Sequence, residues 1–130
     1  MRHSNQEWGG ALSTFDEEFG HDGRRLDVSF AYQTLGLSGD FLLQNGRVAA
    51  PDYIKIDVDG VEHLILAGAS LVLKGAKSVL VEVNDDFEQQ RDDCERVLKD
   101  AGFSLRSKEI PPLSGSGEFA SVSNQIWVRG

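Results

Sequence analysis

Between Pro51 and Asn84 the chain reads PDYIKIDVDGVEHLILAGASLVLKGAKSVLVEVN, and this stretch decides the fold. YIKIDV, Tyr53 to Val58, is rich in β-formers. Gly60 then opens an apolar helical stretch through Leu73, closed by Gly75, and Val79 to Val83 is a second β-type run. Strand, helix and strand in that order predict a βαβ unit with two parallel strands. Side chains alternate across a strand. Ile54, Ile56 and Val58 therefore share one face and Tyr53, Lys55 and Asp57 the other, while Glu82 and Asn84 fall together.

Downstream, Phe87 to Ala101 reads as a second helix, with Phe87, Val97 and Leu98 at helical spacing and Gly102 placed as its C-cap. Phe103 to Arg106 predicts a third strand. A loop follows, with Pro111-Pro112 and Ser114-Gly115-Ser116-Gly117, and then Val122 to Arg129 as a last strand, hairpin-like against its predecessor and antiparallel at or near one edge. Upstream, LDVSFAYQ (Leu26 to Gln33) predicts a strand and a short helix follows from near Ser38 to Gly46. Residues 1–25 mix Gly, Ser, Asp and Glu with the isolated aromatics Trp8, Phe15 and Phe19, and read as an irregular lead-in. The expected fold is α/β: a mostly parallel sheet over residues 26–130, with helices on both faces and a C-terminal antiparallel hairpin.

Composition narrows the function classes. The chain has 130 residues, 40% hydrophobic, enough for one core and one domain. Its formal charge of −8, with the basic residues scattered rather than clustered, argues against a nucleic-acid partner. The single cysteine, Cys94, has no internal disulfide partner, and its two aspartate neighbours disfavour a reactive thiolate. No N-terminal apolar run resembles a signal peptide or membrane span, so the cytoplasm is expected and a membrane partner is not.

In an open α/β sheet, ligands bind beyond the C-terminal ends of the strands, where Asp57 and Asp59 lie. If the two strands pair, Lys55 and Glu82 are expected to neutralise each other, leaving Asp57 and Asn84 as base or metal-ligand candidates. Asp57, inside a strand that is apolar on its other face, has no propensity reason to be there and reads as functional. Asp59 to Glu62 and Asp85 to Glu88 each fit a helix capping box, which accounts for those four residues without catalysis. A calcium loop is rejected, because aligning Gly60 with its glycine puts Lys55 and Leu66 at ligand positions. His3, His21 and His63 have no partner at zinc spacing, and the Ser-Gly repeat lacks a nucleophile elbow. His63, in the first helical turn, reads as packed or solvated before it reads as a substrate contact.

The same stretch resembles the central signature of FkbM-family methyltransferases, roughly P-x-Y-I-K-I-D-V-E-G-x-E before a Leu-rich helix. Lys55, Asp57, Gly60 and Glu62 match it, and Asp59 stands where Glu is more usual. The strand ending in Glu82 and the closing NQIWVR also resemble the family's later strands, whereas the likeness is weakest before Leu26. The resemblance implies the C-terminal part of a Rossmann-like domain that uses S-adenosylmethionine to O-methylate a hydroxyl on a small molecule or sugar. It implies Asp57 as the base, with Glu82 and Asn84 as orienting partners or, as the lesser alternative, ligands of a divalent cation, no metal site being assigned, and Asp59, Glu62 and His63 on the substrate side.

Such enzymes hold the cofactor with a glycine-rich turn after the first strand and an acidic residue after the second. Neither is visible, and Gly9-Gly10 follows a polar stretch rather than a strand. The chain is therefore expected to be a partial domain of a longer enzyme that does not bind S-adenosylmethionine alone, or a non-catalytic remnant serving as a partner-binding module. LDVSFAYQ is expected to cover the open edge of YIKIDV; failing that, self-association through this edge is expected.

Overall fold

The computed structural model describes residues 1–3, 13–25, 27–28, 30–110 and 120–130. Trp8, Gly9-Gly10 and the Pro and Ser-Gly loop of 111–119 lie outside them. A four-stranded sheet forms the centre, in the order β4 (Tyr53–Ile56), β5 (Ser78–Asn84), β7 (Val122–Arg129), β6 (Phe103–Glu109). β4 and β5 are parallel, with Tyr53 opposite Ser78 and Ile56 opposite Val81. β7 runs antiparallel to both β5 and β6.

One sequence expectation is corrected here: only one strand pair is parallel, so the sheet is mixed rather than mostly parallel. The last strand lies near one edge, as expected, inserted between β5 and the edge strand β6. The hairpin of β6 and β7 was legible; that β7 also pairs with β5 along its length was not. Placing β7 beside β5 lets its apolar side chains Trp127 and Val122 be buried, which an edge position would not.

The connection between the parallel strands is two helices, α2 (Glu62–Ala67) and α3 (Ser70–Gly75), where the sequence predicted one. The break falls at Gly68-Ala69. There the Gly68 carbonyl accepts from Asp40 N at 3.0 Å, and the Asp40 carboxylate accepts from Leu71 N (2.8 Å) and Val72 N (3.1 Å). An acid from α1 (Gly39–Gln44) thus caps α3, whose own N-cap residue, Ala69, has no capping side chain. At the other end Arg129 donates to the carbonyls of Leu73 (2.8 Å) and Ala76 (3.2 Å), with its guanidinium 4.5 Å from the Phe103 ring centroid. α4 (Glu88–Asp100) matches its predicted span within a residue and ends at Gly102, whose φ of +86° suits the left-handed position after a helix.

Val79, Val81 and Val83 of β5 point to one face, against Leu66 of α2, Val72 and Leu73 of α3, and Cys94 and Leu98 of α4. Ile56, Phe103 and Trp127 complete this core. The helices thus lie on one face, not on both. Among the described residues no helix covers the other face, where Ser78, Leu80, Ile126 and Val128 are half-buried and Tyr53 is 73% exposed. A shallow hollow of about 750 Å³ there is lined by Tyr53, Lys77, Ser78, Arg106, Ile126 and Val128.

Of the expected strand over Leu26–Gln33, whose Leu26 and Ser29 lie outside the described residues, the described part forms β3 (Phe30–Ala31), which pairs with β1 (Arg2–His3). With β2 (Ser13–Thr14) they make a separate three-stranded sheet in the order β2-β1-β3. It does not cover β4, whose outer edge has no strand partner among the described residues. Part of the lead-in is thus ordered by pairing.

Candidate functional site

The C-terminal ends of β4 and β5 bring Asp57, Glu82 and Asn84 into one neighbourhood. β4 stops at Ile56, two residues short of the prediction, because the chain turns sharply through Asp57–Gly60. Asp59 (φ +59°) and Gly60 (φ +113°) are both left-handed, a conformation an Asp tolerates and a Gly adopts without cost. Glu62 holds this turn. Its carboxylate, 1% exposed, accepts from Val58 N at 3.1 Å, from Gly60 N at 3.1 Å, and from Gln90 Nε2 of α4.

That geometry corrects several assignments. Glu62 does reach back to backbone amides, but Asp59 is not its capping partner: the N-cap of α2 is Val61, without a side-chain bond. Glu62 is buried and committed to the turn, so it does not face a substrate. The second capping box also fails. The N-cap of α4 is Phe87, while Asp85 pairs with Lys108 at 2.5 Å. Asn84, 4% exposed, is equally committed: its Nδ2 donates to the His21 carbonyl at 3.2 Å, its Oδ1 accepts from Asp86 N, and its own N–H donates to Gln90 Oε1 at 2.8 Å. His63 is buried against Phe19 and Phe87, the packed reading.

Gln90 was missed, though a signal existed. Gln90, Cys94 and Leu98 recur every four residues on the buried side of α4, so a polar Gln there needed an interior partner. Burial pushes the Cys94 thiol up to about 12, leaving it an inert core side chain.

The expected charge pairing is also reversed. Lys55 Nζ binds Asp57 Oδ2 at 2.8 Å, rather than Glu82, and this partner raises the lysine above its ordinary range. Glu82 is half-buried, and burial first, then the Asp57 charge, push its carboxyl up to about 7 against the smaller opposing effect of Lys55. At the adjacent strand end Asp57 is paired with Lys55 and outward, whereas Glu82 is poised to exchange a proton near neutrality. Among the described residues no group of three His, Cys, Asp or Glu side chains is placed to hold a metal ion.

Segment Phe19–Gly23 lies across these strand ends. A Cβ on Gly60 would stand 2.7 Å from the Gly20 carbonyl oxygen and 2.8 Å from His21 Cα, so glycine is required there for close backbone approach as well as for its φ. This chain's own backbone fills the space at the Gly60 turn, so the described residues form no S-adenosylmethionine cradle there.

An α/β sheet with a carboxylate pair at adjacent strand ends is a frame that methyltransferases share with many other enzymes. Sequence comparison resolves the class: the Methyltransferase FkbM domain model matches residues 6–105, and the chain belongs to that family. It is similar to the hexuronic acid methyltransferase AglP of Haloferax volcanii, 31% identical over 83 residues that cover 64% of this chain. Those residues are 33% of AglP, so the chain spans about a third of the curated relative it matches. No solved structure matches. Among the described residues no helix is long and apolar enough to cross a membrane.

Proposed function

We propose that this chain carries the acceptor side of an S-adenosylmethionine-dependent O-methyltransferase with a Rossmann-like domain, and that Glu82 takes the proton from the acceptor hydroxyl. The observation that supports this is the Glu82 carboxyl, half-buried at the end of β5 and raised to about 7. A base works best when its affinity for protons lies near the working pH. Asp57, fixed by Lys55, orients the hydroxyl and keeps Glu82 raised by its charge. Asn84 and Glu62 act behind them by fixing the two strand ends. No step of this reading passes through the methyl donor, which the Gly60 turn does not accommodate.

The acceptor is a neutral hydroxyl compound or sugar. AglP is named for hexuronic acid, but Asp57, Asp59 and Glu82 gather negative charge here and the chain carries −8 overall, which repels a uronate. Amide chemical shifts followed during titration with glucose and with glucuronate test this. Shifts at Asp57 and Glu82 with the neutral sugar and much weaker ones with the uronate are expected. Absence of any shift at those residues, with either sugar, overturns the assignment of the acceptor site. A calorimetric titration with S-adenosylmethionine completes the test: saturable micromolar binding would place a donor site on this chain and restore the complete reaction to it.

A further inference from the structure

The segment Phe19–Gly23 rests on the strand ends through a compact set of contacts. Asn84 Nδ2 donates to its His21 carbonyl at 3.2 Å, and its Gly20 backbone fills the space above Gly60. Gly23 (φ +73°) lies against the Phe87 ring, where a Cβ would come within 2.7 Å of the ring carbons. The Phe19 ring stacks on His63 with centroids 6.3 Å apart and meets Phe87 edge-on at 5.3 Å. The segment also closes on itself: Gly20 N donates to Arg24 O at 2.9 Å, Gly23 N donates to Gly20 O at 3.0 Å, and Phe19 bridges to Arg25.

The centre of its underside is His63. This imidazole is 3% exposed, and neither Nδ1 nor Nε2 has a hydrogen-bond partner. A neutral ring between two phenyl rings tolerates that, whereas an imidazolium there would hold a charge and two unmatched donors.

We propose that Phe19–Gly23 is a cover over the Gly60 turn and Asn84, at the margin of the acceptor site, shut while His63 is neutral and opened when His63 gains a proton. The inference rests on reading the ends of β4 and β5 as that site. The charged groups that face His63 are Glu17 from the arm leading into the cover, Glu62 on its own helix α2, and Asp93 on α4. All three favour the proton, yet burial outweighs them and the imidazole is lowered below its ordinary range. A group held below its free value of about 6.5 contributes to closure fully above that pH and loses the contribution as pH falls through the lower, closed-state value. Opening hydrates the ring, frees the Asn84 amide and uncovers the Gly60 turn.

The Nuclear Overhauser contact between the Phe19 and Phe87 rings reports closure directly, with the methyls of Val79, Val81 and Val83 as a record of the core. In the wild-type chain this contact is expected at pH 7.5 and lost at pH 5, with the valine methyls unmoved. The His63→Phe variant is expected to keep it at both values. A carbon-detected titration of His63 in the unaltered chain serves where that variant does not fold, and its midpoint should lie below 6.5 and coincide with loss of the contact. A contact that survives at pH 5, a titration that does not track it, equal loss in His63→Phe, or movement of the core methyls together with it each overturns the proposal. None of these readouts involves a sugar or a methyl donor, so a failed acceptor titration and a failed cover are separate results.

Discussion

At Glu62 the removal of one side chain strands three donors in the interior. Glu62→Ala leaves Val58 N, Gly60 N and Gln90 Nε2 without their acceptor, and a cost of about 3 kcal/mol in urea denaturation is expected. Glu82 shows the opposite sign. Its folded value, about 7, lies above that of an unfolded carboxyl near 4.5, so the protonated form fits the fold. Stability linked to it is present below about 4.5 and is lost as pH rises toward 7. Glu82→Gln should therefore match the wild type at pH 4 and exceed it by about 1 kcal/mol at pH 8, a figure reduced for its partial exposure. In the assay for methyl transfer by a complete enzyme of this type, the same substitution is expected to lower the rate about a hundredfold or more. The acidic residues at the strand ends were readable from the spacing of YIKIDV and VLVEVN. Which of them carries the free carboxyl was not, because Lys55 can reach either the next acid on its own face or the neighbouring strand, and only the bend after Ile56 brings Asp57 close.

Among the elements, α2 and α3 show how far periodicity reaches. LILAGASLVL has helical apolar spacing throughout, and a Gly inside such a run ordinarily costs only about 1 kcal/mol, so one helix was the natural expectation. The break is imposed from outside, by Asp40 taking the amides of Leu71 and Val72. Asp40→Ala should cost about 1 kcal/mol, read by urea denaturation, with loss of amide protection at Leu71 and Val72 before the rest of the core. Ser38 and Asp40 both sit at the start of α1, so the sequence displayed a cap for that helix and concealed that one of them also serves another. The β-strands were more legible than the helical connection: β5, β6 and β7 begin within a residue of expectation, β5 and β7 because they are rich in β-branched and aromatic side chains and β6 because Phe103 follows the helix-ending Gly102. LDVSFAYQ has the same composition, but among its described residues the strand is two residues long and lies in the separate sheet. Composition identifies a strand-former, and pairing decides its length and partner.

For the whole molecule, the two sheet edges are unequally protected. β6 presents Arg106, Lys108 and Glu109 along its length, charges that discourage a further strand. β4 presents only Lys55 among Tyr53–Ile56, and the uncovered face beside it carries Leu80, Ile126 and Val128. Concentration-dependent association is expected in sedimentation velocity, and Tyr53→Lys, at an exposed position, should weaken it while changing stability by no more than about 0.5 kcal/mol. A monomer at high concentration with a rapidly exchanging β4 would rule this out. The interior position of β7 governs the order of events during synthesis. A ribosome delivers β5, α4 and β6 before the strand that must lie between β5 and β6 exists, at roughly 5–20 residues per second. Until Val122–Arg129 emerges, β5 and β6 have no partner in each other, and neither Trp127 nor the Arg129 guanidinium is in place against the core and α3. The nascent chain therefore holds β5 with one edge open and β6 without its partner, and closure of the four-stranded sheet is coupled to the arrival of Val122–Arg129.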